Sequence, residues 1–471
     1  MTVLGAILLV TGLLALLISR RWLYIMLLFS VPFSGTSVFN FGSGENASSV
    51  QAWMYFGVLW LLGETVRWLL VPDTRVAVSI VKRSALLAGF VLILTASLVM
   101  PLYIQGRLLI VSPDLLDFST TPLVFHAKNV TSLLYVVFGT LIALSIGRMN
   151  LDEKTAISTE KIWLAAGMVT CTLGTLEFLA HILHFPSPTL LFRNSASPGA
   201  LGYLGHLEGN ITRVSSVAVE PSILSQYLFT VIPLTMPALL GKGHVFSRRT
   251  DRIGLALLLV ILFLTTSSVA YATLLVSPIL ALPIILRLGI KIGKVFSYTM
   301  LAYFAIGFSV VSLYLASPAI RELLTAALFA KSESYSALER LKSISLGWEY
   351  FKAYPVLGVG WGSVTSHDVV VMILASSGIL GLLAFTLAMA GIARPLFLAI
   401  DKSLSATTLS RASWLLAGVL LIFASIISEF PFVFGYLWVV FGMAIAASTK
   451  EYRTTDIKSG DVLHDARVTP E

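Results

Sequence analysis

The chain has 471 residues, of which 57% are hydrophobic and only 12% charged. Soluble domains carry roughly 25% charged residues, so the composition excludes a water-soluble globule. The net charge of +8 comes with a mean hydropathy of +0.89; it fits anionic lipid headgroups as partners and gives no case for nucleic acid.

Apolar runs recur from end to end. They fall near 3–18, 22–36, 51–71, 84–102, 129–147, 162–184, 222–240, 253–266, 269–287, 296–316, 368–391, 412–428 and 432–448. Runs of about 20 apolar residues cross a hydrocarbon core of about 30 Å. Backbone groups in lipid must be paired within the segment, and these runs lack the alternation of barrel strands. The expected fold class is all-α: a polytopic membrane helical bundle of about 12–13 transmembrane helices. The first two runs are short, and 253–287 is ambiguous around Thr265-Thr266-Ser267-Ser268. One integral membrane domain is expected over 1–448, followed by a polar, disordered cytoplasmic tail over 449–471.

Most of the 32 basic residues fall in or beside the loops 19–21, 72–83, 148–161, 241–252, 287–295 and 392–411 and the tail. That side is therefore expected to be cytoplasmic. The two long loops, 185–221 and 317–367, then face outside. Cys171 is the only cysteine, so neither an intramolecular disulfide nor a thiolate metal site is possible. The first run meets Arg20-Arg21 and then a second run, which reads as a hairpin and not as a cleaved signal peptide.

Polar groups inside spans are costly and therefore informative. Glu64 and Arg67 lie three apart on one helix face and can pair as a structural ion pair. Glu177, His181 and His184 form a stripe at i, i+4 and i+7. A divalent metal, an acceptor-site or proton-relay role, and a packed helix end are all compatible with that spacing. Phe185-Pro186 follow at once and place the stripe at the water interface, so no tight metal site is expected.

Loop 185–221 is rich in Pro, Gly, Ser and Asn and ends in Arg213 and then Glu220-Pro221-Ser222. Proline suits the first turn of a helix, and an acid there is favoured by the dipole. Loop 317–367 is longer than a connector needs. Its stretches Ile320 to Ala330 and Ser336 to Phe351 have the mixed pattern of surface-lying amphipathic helices, the second carrying Arg340. Pro355, Gly358, Gly360 and Gly362 then bend the chain, and His367 stands at the mouth of the next span. Glycine permits close approach of the backbone to a ligand.

In these two loops the chain resembles the O-antigen polymerase and O-antigen ligase family of bacterial envelope glycosyltransferases. The late pattern is Arg340, then Pro355-Val356-Leu357-Gly358-Val359-Gly360, then His367, followed by Ser376-Ser377-Gly378-Ile379-Leu380-Gly381. The early pattern is Arg213 with Glu220-Pro221-Ser222. Ligase-like members often carry Ser-Arg where span eight turns into span nine; here the sequence is Thr265-Thr266-Ser267-Ser268-Val269, which favours the polymerase branch.

The resemblance implies transfer of a glycan from undecaprenyl diphosphate to an acceptor hydroxyl, on the outer face of a bacterial cytoplasmic membrane. It implies Arg213 and Arg340 on the diphosphate and His367 as the base. Glu220, Gly358, Gly360, Glu177 and His181 are possible supports of the substrate site. No cofactor is expected, because the donor is already lipid-linked. No metal is expected either: the first outer loop, Ser37 to Val50, holds Glu45 as its one acid and lacks the paired Asp that metal-dependent lipid-linked glycosyltransferases place there. Expected partners are the lipid-linked donor and acceptor, membrane lipids, a chain-length regulator and a flippase. A ligase acting on lipid A core and a transporter of lipid-linked oligosaccharide are the alternatives.

Overall fold

The computed structural model describes residues 2–42, 47–70, 78–111, 120–196, 207–208, 211–291, 335–428 and 431–449, with a few isolated positions besides. Nearly all of the expected span 296–316, the stretch Ile320 to Ala330, Glu45 and nearly all of the tail lie outside the described residues. The fold is an all-α bundle. Its main helices are α1 Val3–Ile18, α2 Arg20–Ser30, α3 Ala52–Leu70, α4 Val78–Ser97, α5 Ala127–Met149, α6 Glu153–Ile182, α7 Pro221–Val231, α8 Arg248–Leu264, α9 Ser268–Arg287, α10 Tyr335–Ala353, α11 Val369–Leu398, α12 Ala406–Ile427 and α13 Gly435–Ala447. Among the described residues, seven helical segments are long and apolar enough to cross a membrane: Ser84–Tyr103, Ala127–Met149, Glu153–Ile182, Pro221–Leu239, Ser268–Arg287, Val369–Leu398 and Ala406–Ile427. Val3–Ile18 and Gly435–Ala447 are shorter apolar helices.

Local sequence explains where the helices start and stop. Thr2, Ser19, Asp152, Ser247 and Ser405 cap α1, α2, α6, α8 and α12 by accepting from backbone N–H groups of the first turn. The run expected over 22–36 is only an 11-residue helix, with Val31 still at helical angles as its C-cap; it is about 16 Å long and stops there because Pro32 has no N–H to continue the ladder to Leu28 O. The chain then enters a two-stranded antiparallel ribbon, Ser37–Phe41 against Ser48–Gln51. The ambiguous junction at 265–268 separates two helices. Thr265 ends α8, Thr266 takes φ 45°, and Ser267 opens α9.

Among the described residues, the loops after α9 and α11 and the end of α13, which charge assigns to one side, meet one another. The Arg287 Nε donates to Ile400 O at 3.0 Å, and the Arg411 Nε donates to Ala447 O at 2.9 Å. The Glu64–Arg67 pairing is replaced by another. Arg20 sends two parallel N–H groups to Glu64, at 2.6 and 2.7 Å, while Arg67 is exposed. A bidentate fork from the neighbouring helix is a stronger partner than a same-helix arginine.

Candidate functional site

The site is built from three pieces at the opposite end of the bundle. The first is the extended segment 213–220 leading into α7. Val214 N donates to Leu264 O at 3.2 Å, and the Arg213 Nε lies 3.4 Å from Thr265 O, so the segment lies along the α8–α9 junction. Glu177 on α6 holds its middle. The Glu177 Oε2 accepts the amides of Ser215 and Ser216 at 3.1 and 2.6 Å, and Oε1 accepts from Arg193 at 2.6 Å. Arg193 also donates to Ser216 O from Nε at 2.8 Å and to Ser215 Oγ at 2.5 Å. These bonds fix Ser216 at φ 54°, a left-handed conformation that a non-glycine residue rarely adopts.

Glu177 therefore serves the chain's own backbone, which corrects its reading as part of a ligand stripe. His181 sits half-buried one turn along α6. His184 lies past the end of that helix with φ 56° and is exposed. The three side chains do not converge, and no group of three metal-ligating residues occurs among the described residues.

Glu220 is the N-cap residue of α7, with Pro221 at the first position as expected. Its side chain makes no cap hydrogen bond. Instead its Oε2 accepts from Ser222 Oγ at 2.7 Å, and the residue is half-buried. Its charge reaches the second piece, α10. Burial raises the Glu339 carboxyl above its usual range, the Glu220 charge raises it further, and Arg340 pulls it back. Glu220 from the early loop and Glu339 and Arg340 from the late loop thus share one electrostatic neighbourhood.

The third piece runs from Pro355 to Asp368. Its glycines do approach a backbone closely, and that backbone is the protein's own. Inside α11, Gly378 leaves helical geometry at φ 65° and ψ −166°, and the Pro355–Gly360 turn fills the break. The amides of Val359 and Gly360 donate to Ala375 O and Ser376 O at 2.8 and 3.0 Å. Pro355 O and Val356 O accept from Ile379 N and Leu380 N at 2.8 and 3.4 Å. Both half-helix ends are thereby satisfied inside the protein, as a break within a membrane span requires. A Cβ on Gly358 would come within 2.6 Å of Ser376 C and Ser377 N, so no side chain fits. Gly360 packs against Pro101, and Gly362 against Lys128 and Asn129. Asn129 clamps the far end, donating to Trp361 O at 2.6 Å and Ser363 Oγ at 2.8 Å.

This anchoring delivers His367 to the mouth of α11. Asp368 caps the helix, accepting from Val370 N and Val371 N at 2.7 and 3.1 Å. The imidazole is half-buried, and its Nδ1 lies 3.0 Å from Ser343 Oγ on α10. Burial, and secondarily the Arg340 charge, push the imidazole pKa down to about 4. The His367 imidazole is therefore neutral at pH 7 and feels the Arg340 charge. The reference value near 6.5 expected for an unperturbed histidine does not apply.

Arg193, Ser343, Glu339 and Asp368 escaped the sequence reading. Asp368 directly before an apolar run is a recognisable cap signal. The other three carry no local signal, because their partners are far away in sequence. A scan against known protein families and a search of curated proteins return no match to this chain. Fold and apolar helices together define its class: a polytopic all-α membrane protein, with a polar cluster at one end of the bundle.

Proposed function

We propose that the chain is a membrane glycosyltransferase that polymerises undecaprenyl-diphosphate-linked repeat units on the outer face of a bacterial cytoplasmic membrane. One observation carries the reading. The Ser343 hydroxyl lies 3.0 Å from His367 Nδ1 and 2.9 Å from the Arg340 carbonyl, so one turn of α10 links the imidazole to the residue that carries the guanidinium, and the Arg340 charge acts on both His367 and Glu339. The resemblance requires a cation and a base at one place, and the link between Arg340 and His367 supports that reading.

In the proposed reaction the acceptor hydroxyl gives its proton to His367 and its oxygen bonds to the anomeric carbon of the donor. The bond from that carbon to the diphosphate oxygen breaks, and the diphosphate leaves with the electron pair. Arg340, with Arg213 from the early loop, meets the growing charge; arginine stays protonated throughout. The proton then passes from the imidazolium to the departing diphosphate or to water. Glu220 is assigned the support of the sugar hydroxyls.

The broken helix α11 deserves comparison with transporters, which bind cargo at such breaks. Gly378 lies about 14 Å along the helix from its start, but the turn from Pro355 fills that break with backbone. This favours the enzyme over the transporter. Purified protein supplied with a lipid-linked repeat unit tests the proposal. Wild type should build polymer, and His367→Ala should lose about 10²–10⁴-fold in rate while retaining fold and donor binding. Full polymer formation by that variant rejects the assignment, and transfer only to a lipid A core acceptor selects the ligase alternative.

A further inference from the structure

The hydroxyl of Ser343 has three neighbours. Its Oγ lies 2.9 Å from Arg340 O, 3.0 Å from His367 Nδ1 and 3.3 Å from the backbone nitrogen of His367. A serine hydroxyl has one proton and two acceptor lone pairs. Arg340 O can only accept, and two oxygens 2.9 Å apart with no proton between them would repel. The hydroxyl proton therefore points at Arg340 O, in the back-bonded arrangement common for helical serine. Both lone pairs of Oγ are left to accept. One takes the backbone N–H of His367, and the other faces Nδ1, which must then carry the ring proton. A neutral imidazole with Nδ1 protonated has Nε2 bare.

We propose that Ser343 is a positioning residue: it holds His367 as the Nδ1–H tautomer and so makes Nε2 the nitrogen that receives the acceptor proton. The inference deepens the reading of His367 as the base and rests on it. It also gives a reason for the packing of α10 against the mouth of α11. Arg340 and Ser343 lie three apart on α10, so one helix face supplies the cation and, through its own carbonyl, orients the hydroxyl that selects the tautomer. A base orienter of this kind acts on the rate of chemistry, since the wrong tautomer presents a proton where a lone pair is needed.

The test uses the full chain in lipid nanodiscs, labelled with ¹⁵N-histidine, with the His367 resonances identified by subtracting a His367→Gln spectrum. Wild type should show a protonated Nδ1 and a bare Nε2 near neutral pH. Ser343→Ala should shift the ring to a mixture or to the opposite tautomer. Its kcat on a lipid-linked repeat unit should fall about tenfold or more, short of the about 10²–10⁴-fold expected for losing the base, with KM for the donor unchanged. Ser343→Thr, which keeps the hydroxyl, should restore both tautomer and kcat. A wild-type spectrum with Nε2 protonated overturns the proposal without any variant. So does a Ser343→Ala protein with unaltered tautomer and turnover. If the tautomer responds as expected but His367→Ala retains full turnover, the base assignment falls and takes the positioning role with it.

Discussion

Glu177 and Arg193 form an ion pair at 2.6 Å with only 7% and 10% of their side chains exposed, and between them they hold both the amide and the carbonyl of Ser216. The pair joins α6 to the segment that carries Arg213 and Glu220. Its partners are saturated: carboxylate oxygens receive a guanidinium and two amides, and the guanidinium also meets a carbonyl and a hydroxyl.

Breaking that pair from one side should be costly. Removing one partner of a buried, hydrogen-bonded ion pair typically costs about 3–5 kcal/mol, because the other charge is left buried and unpaired. Arg193→Ala and Glu177→Ala should each lower the thermal midpoint in detergent markedly. The double variant should lose less than the sum of the two, since it leaves no orphan charge. Single variants that melt like wild type would show that the segment is held elsewhere.

The pH dependence follows from the depressed imidazole. With the folded pKa lowered to about 4 by burial and then Arg340, His367 remains an available base well below pH 6. The acid limb of kcat/KM, which reports the free enzyme, should fall near pH 4 and not near 6.5. For stability, the folded value lies below the unfolded value of about 6.5. The stabilisation is thus fully present above about 6.5 and is lost as pH falls through the window down to about 4. Arg340→Gln removes the second cause and should move the acid limb upward. An acid limb at 6.5 in wild type would contradict the buried geometry.

Arg340→Lys should be nearly as damaging to turnover as Arg340→Ala. Lysine keeps the charge but has no planar fork for two diphosphate oxygens. Steady-state rates of the two variants on the same lipid-linked substrate decide this. Wild-type turnover in the lysine variant would reduce Arg340 to a diffuse charge.

Gly358→Ala should destabilise the fold itself. The residue has φ 63°, and a Cβ would press on the Ser376–Ser377 peptide at 2.6 Å. Left-handed strain and overpacking each cost about 1–3 kcal/mol. Loss of folded protein in size-exclusion chromatography is the expected result. A stable variant with selectively weakened donor binding would return the glycine to a ligand-facing role.

The class of the protein was legible in the sequence, because apolar length and helix starts are local properties. The cap at Glu220-Pro221, the break at Thr265–Ser268 and the mouth at His367 all appear where the residues placed them. Partners were another matter. Glu64 went to Arg20 instead of Arg67, Glu177 went to Arg193 and two amides, and the Gly358 turn went into a helix break at Gly378. Each of those contacts joins segments that are distant in sequence, and the choice among competing donors depends on which helices pack side by side. The same holds for His367, whose residue type sets a pKa near 6.5 in water but whose burial beside Arg340 sets it near 4. Sequence determines which groups are present and where helices begin; packing decides the dielectric around each group and which charge it faces.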